Sequence, residues 1–187
     1  MNEINIESHV SDRHQLVFEG LHGISLQVPP DRWCLVGGLM VLLLGAEAGT
    51  VPDRASMTKD ADVVVNLFAD PRALQKVSDA LAQAGYRLSD RFGSDDDAAA
   101  RCTFEFGRAV VDVLCPDGTD AADLELAAGV SSIAIPGGRR AIELSRLVDI
   151  YYHPERPPAT LSIPSLHGGL IVKAAAAVDG RTASQDR

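Results

Sequence analysis

Asp60 and Asp62 stand two residues apart at the head of ADVVVNLF, and Asp112 lies inside the apolar run AVVDVLC. Both runs are rich in β-branched residues and read as strands. Alternate side chains of a strand share a face, so Asp60 and Asp62 point together and Ala61 points away. Two carboxylates side by side repel each other unless a cation sits between them, and a hard divalent ion such as Mg²⁺ takes oxygen ligands of this kind. A carboxylate buried alone among apolar residues is costly, so Asp112 also calls for a partner. If the two strands are neighbours, three carboxylates converge, and such a set can hold two metals about 3.5–4 Å apart, suited to in-line displacement at phosphorus. That chemistry rests mainly on positioning and charge stabilisation, so it needs few other side chains. Each feature also has a plainer reading. Asp residues often open strands from a turn, and on an edge strand Asp112 would simply face water.

A glycine pair adds to the pattern. In WCLVGGLMVLLLG, Gly37 and Gly38 lie between a predicted strand, residues 33–36, and a predicted buried helix that stops near Gly49. Small residues let a phosphate approach the backbone, and a helix N-terminus offers unpaired N–H groups and the positive end of a dipole. A plain tight turn would use the same residues. Neither GxGxxG nor GxxxxGK[ST] occurs, which removes support for dinucleotide-binding and P-loop readings.

Taken in order, LVGGLMVLLLG, TKDADVVV and VVDVL resemble the nucleotidyltransferase superfamily with the DNA-polymerase-β-like fold, most nearly its AbiEii-like toxin branch. The likeness spans about residues 30–187. It includes a Thr just before the Asp-x-Asp, matched by Thr58, and a late helix with Lys before an Ala-rich run, matched by Lys173 in LIVKAAAA. The stretch between Gly38 and Asp60 is longer than is usual in the superfamily. The resemblance implies that Gly37, Gly38 and Thr58 meet a bound nucleotide. It implies that Asp60 and Asp62 bind Mg²⁺, with Mn²⁺ as the alternative ion. Asp112 would be a third ligand or a base, and Lys173 would meet nucleotide phosphate. From the residues alone, Lys173 is equally a helix residue that extends its ammonium to water. The implied activity moves a nucleoside monophosphate from an NTP to a hydroxyl on a tRNA 3′ end or a protein, as a toxin with a cognate antitoxin. The rivals are an aminoglycoside-type small-molecule acceptor and a non-catalytic binding module of the same fold.

The elements that must position these residues follow from patterning. The expected class is α/β (α+β): a mixed β-sheet flanked by helices, in one domain over 1–187 with a C-terminal helix at about 164–187. A short helix is expected over 11–22. Asp70 should cap a helix with Pro71 at its first position, carrying Leu74, Val77, Leu81 and Ala84 at helical spacing. Gly107-Arg108 has hairpin spacing between 101–106 and 109–115. Residues 119–129 read as helical, SIAIP as a strand, and RAIELSRLVDIYY as strand or helix. SDDDAAA, residues 94–100, reads as an exposed loop.

Composition narrows the partners. Of 187 residues, 46% are apolar and 23% charged, enough for a full core and ordinary for a globular chain. A net charge of −9 argues against general polyanion binding. The arginines at 139, 140, 146 and 156 are interrupted by Glu143, Asp149 and Glu155, as on a solvated surface. Cys34, Cys102 and Cys115 are too scattered for a disulfide framework and read as small core residues. The five histidines lack HxxxH or HExxH spacing and read as surface or loop residues rather than zinc ligands. The N-terminus MNEINIESHV is unlike a secretory leader, and 33–46 is too short an apolar run to cross a bilayer. A cytoplasmic protein without a membrane partner is the expectation.

Overall fold

The computed structural model describes residues 2–51, 60–89, 102–127 and 130–185. Thr58, the 94–100 loop and the end of the 119–129 stretch lie outside them. The chain is mixed α/β, with five α-helices among the described residues: α1 (Asp12–Gln27), α2 (Gly37–Glu47), α3 (Ala73–Gln83), α4 (Gly138–Glu143) and α5 (Leu166–Gln185). Strands β1 (Asn2–Asn5), β10 (Ser145–Tyr151) and β11 (Ala159–Pro164) form a three-stranded sheet, with β1 parallel and β11 antiparallel to β10. The larger, mixed sheet runs β2 (Trp33–Val36), β3 (Asp60–Val65), β6 (Ala109–Pro116), β5 (Thr103–Phe106), β4 (Arg87–Leu88), and β9 (Ala134–Ile135) pairs with the end of β6. The short strands β7 (Glu125–Ala127) and β8 (Val130–Ser131) pair separately.

The larger sheet holds β3 and β6 side by side and parallel, with β2 antiparallel on the outside of β3. Their alternation separates two cores. Ala61, Val63, Val111 and Val113 join Phe18 and Leu21 of α1, Val77 and Leu81 of α3, Leu39 and Leu42 of α2, and Val148 and Leu161 of the other sheet in the main core. Val64 faces the opposite way and packs with Val36, Ala141 of α4 and Val172 of α5 in a second, smaller core. The small core suffices to seat α4 and α5 over that face, and Asp62 and Asp112 share the parity of this second face.

Several elements match the sequence expectations: the 33–36 strand, the hairpin around Gly107-Arg108, and the late helix after Pro164. RAIELSRLVDIYY is both alternatives in succession, α4 and then β10. Others need correction. Asp70 does not cap α3. The helix begins at Ala73 with Arg72 before it, and Asp70 instead accepts a hydrogen bond from the Arg72 N–H and pairs with Lys76. The short Asx turn and the ion pair satisfy Asp70 one step too early for it to cap. The 119–129 stretch is a 3₁₀ turn, Ala121–Leu124, followed by β7, because Ser132 N–H reaches back to the Leu124 carbonyl and draws the chain into a hairpin. The helix expected over 11–22 runs on to Gln27, carried by Phe18, Leu21 and Ile24 on its buried face. His14 is buried within it and not on the surface: its Nδ1 accepts the Ser11 backbone N–H, which closes the start of the helix. All three cysteines are buried and free. No helix among the described residues is long and apolar enough to cross a membrane.

Candidate functional site

Parallel pairing of β3 with β6 places Asp62 directly opposite Asp112. Asp112 is not on an edge, since β6 is flanked by β3 and β5. The two carboxylates therefore stand beside each other on the face under α5. Thr103 is the residue opposite Asp112 on β5, and its hydroxyl donates to Asp112 Oδ1 at 2.5 Å. This cross-strand hydroxyl fixes one oxygen of Asp112. The hairpin spacing contained that pairing, since a two-residue turn at 107–108 sets 103 opposite 112.

Asp62 is the strained member of the pair. Burial, then the neighbouring Asp112, and to a smaller extent Asp60, push its carboxyl up to about 6, while Lys173 pulls in the other direction. A raised carboxyl at the junction of two like charges marks a place where a cation would be stabilised.

Asp60 has a different setting. It opens β3 and is half exposed, and its Oδ1 is paired with the guanidinium of Arg13 from the first turn of α1. The three carboxylates are thus near one another, but Asp60 is turned to an arginine. Among the described residues, no three His, Cys, Asp or Glu side chains form a ready-made metal-holding group. Sequence reasoning passed over both Arg13 and Thr103. Arg13 carries no motif signal, because only the packing of α1 brings it to β3.

The glycine bend lies against the same carboxylates. Val36 is paired with Asp62, and Gly37 follows at once with φ +72°, in the left-handed region. A Cβ at Gly37 would fall 1.7 Å from Asp62 Oδ2, so only a hydrogen fits there. Gly37 and Gly38 are not a free turn but the first residues of α2, and among the described residues no side chain caps that helix. Its first N–H groups are therefore left without intrahelical partners, pointing out of the end that meets Asp62.

On the other side Lys173, on α5, completes an open pocket of about 310 Å³. Gly37, Asp62 and Lys173 form its polar part, and Leu114, Ile135, Pro136 and Val172 its apolar wall. Lys173 is exposed at the pocket mouth. Of the residues singled out from sequence, the structure brings together Gly37, Asp62, Asp112 and Lys173, places Gly38 next in the helix, and holds Asp60 at the margin.

The remaining reactive groups are elsewhere or inert. Burial raises the thiols of Cys34 and Cys102 to about 12, which leaves them protonated and poor nucleophiles. Arg139 and Arg140 pair with Glu143, Arg146 with Glu47, and Arg156 with Glu19. No protein-family model, no curated protein and no solved structure matches this chain.

Proposed function

We propose that the chain is a metal-dependent nucleotidyltransferase that moves a nucleoside monophosphate from an NTP to a hydroxyl acceptor. One observation carries the reading: two carboxylates paired across parallel strands, Asp62 and Asp112, abut an uncapped helix N-terminus through a glycine that admits no side chain. Anionic oxygens from the protein and a phosphate-accepting backbone lie against one another, with Lys173 opposite.

The residues fit a divalent cation. The donor set is hard oxygen, and the proton affinity of Asp62 is already raised by burial and then by its like-charged neighbour. Asp62 and Asp112 would hold the ion, with Asp60 joining once it leaves Arg13. A bound Mg²⁺, or Mn²⁺ in its place, supplies positive charge that stabilises the phosphate oxygens during transfer. The chain does the rest. The N–H groups at Gly37 and Gly38 and the ammonium of Lys173 bind and orient the triphosphate. The pocket wall of Leu114, Ile135 and Val172 gives an apolar seat for the nucleoside. The acceptor oxygen forms a bond to the α-phosphorus as the bond to the β-phosphate oxygen breaks and pyrophosphate leaves. The hydroxyl proton passes to Asp112 Oδ2, while Thr103 holds Oδ1.

The acceptor is a tRNA 3′ end or a protein hydroxyl in the reading that the toxin branch suggests, with a cognate antitoxin and a cytoplasmic setting. A small-molecule acceptor of aminoglycoside type is the second reading. It is favoured by a specific observation: Arg139, Arg140, Arg146 and Arg156 are each paired with a glutamate, which reduces their attraction for a nucleic-acid backbone. Incubation with labelled NTPs, divalent ion, total RNA, cell protein and an aminoglycoside, with Asp62→Asn as control, tests the proposal. Wild-type-only label in RNA or protein supports the first acceptor class, and label in the aminoglycoside supports the second. Calorimetry with Mg²⁺ and NTP that gives no heat, or heat unchanged by Asp60→Ala, would instead identify a non-catalytic module.

A further inference from the structure

Asp60 is occupied by the protein's own cation. Arg13 extends from α1, which packs against the main-core face of the sheet, and meets Asp60 at the start of β3. The pair is half open to water, with Asp60 51% and Arg13 27% exposed. Arg13 Nε is nevertheless buried and, among the described residues, has no hydrogen-bond partner. Arginine–carboxylate pairs are frequently bidentate. Among the described residues, only Asp60 Oδ1 is engaged and this buried donor is unused, so the contact satisfies neither group fully.

We propose that Arg13 is the resting counter-ion of the site: its guanidinium takes the place beside Asp60 that a divalent cation requires, and the cation must displace it. The inference rests on the reading of Asp60, Asp62 and Asp112 as cation-binding carboxylates. It adds a residue from α1, outside the segment that carries the sequence resemblance. The free protein then keeps Asp60 neutralised, which limits repulsion with Asp62, and gives up that pairing when an ion enters. Arg13 is a positioning residue in this account. A partly exposed pair is weak, so its competition lowers ion affinity only by about 2–5-fold.

Mn²⁺ titration followed by the paramagnetic resonance of the free ion tests this on the full chain. The proteins are wild type, Arg13→Gln, Arg13→Lys, Asp60→Asn, the double variant Arg13→Gln/Asp60→Asn, and Asp62→Asn. Arg13→Gln should bind Mn²⁺ about 2–5-fold tighter than wild type. Arg13→Lys, which keeps the charge but lacks the fork, should tighten binding less, and it carries the test if the Gln variant fails to fold. In the Asp60→Asn background Arg13→Gln should have no further effect, because the competitor's target is gone. Unchanged or weaker binding in Arg13→Gln overturns the proposal. So does a gain of equal size in the Asp60→Asn background, which would be long-range charge alone. Either result alongside Mn²⁺ binding that Asp62→Asn abolishes leaves the cation-site reading standing. Absence of Mn²⁺ binding in wild type overturns both.

Discussion

Asp62 has a stability cost written into its setting. Its carboxyl is raised from 3.8 to about 6, chiefly by burial and then by Asp112. The folded chain therefore holds that proton more tightly than the unfolded chain does, and folding is favoured on the acid side. The contribution is full below about pH 4 and is lost as pH rises through 6, a difference of up to about 3 kcal/mol. Asp62→Asn should therefore stabilise the ion-free protein at pH 7.5 by up to about 3 kcal/mol and flatten the dependence between pH 4 and 6, as read by urea unfolding. The same variant should have no transfer activity. Gly37 tests the opposite contact. Gly37→Ala places a methyl group where Asp62 Oδ2 lies and asks an L-residue to adopt φ +72°. The left-handed strain and the overpacking together should cost about 2–4 kcal/mol. Asp62 must rotate away, so transfer should fall to the level of Asp62→Asn, and circular-dichroism melts beside product assays separate the two effects.

At the scale of elements, α5 matters because it brings Lys173 over the sheet face that carries Asp62. Among the described residues, the second core that seats it has four buried members, Val36, Val64, Ala141 and Val172. Lys173→Gln should leave that seat intact, since the side chain is exposed. It removes a positive charge that lowers the Asp62 carboxyl, so the Asp62 titration should move further upward in a carboxyl-carbon NMR titration. Transfer should fall by about 10²-fold, the usual loss when a group that stabilises transition-state charge is removed. The helices and strands that were legible in sequence owe this to strong local patterns: the apolar β-branched run in AVVDVLC, helical spacing in 74–84, and a two-residue turn at Gly107-Arg108. The elements misjudged, the cap of α3 and the 3₁₀–β7 segment, depend on a single competing hydrogen bond or ion pair, which no periodicity reports.

For the whole molecule, the proposed ion binding would be linked to folding, because Asp62 and Asp112 meet only where β3 and β6 are paired. Mg²⁺ at about 100 times its dissociation constant should therefore stabilise the fold by about 2.7 kcal/mol. Thermal melts with and without chelator should show this shift in wild type and lose it in Asp62→Asn. The net charge of −9 sets a further expectation for an RNA acceptor. Binding should need the divalent ion, and it should weaken with added salt less steeply than for a protein with a basic groove.

Types, spacing and parity came from the chain alone. Asp60-Ala-Asp62 on a β-branched run, Asp112 inside an apolar one, and a glycine pair between strand and helix are local patterns, and alternation assigns each side chain a face. Which faces meet was decided only in three dimensions. Register between β3 and β6, whose facing aspartates lie 50 residues apart in the chain, is a matter of long-range pairing: it set Asp62 against Asp112, and the packing of α1 turned Asp60 toward Arg13. Local sequence carries conformational preference, whereas the meeting of distant side chains depends on how the buried faces close on one another.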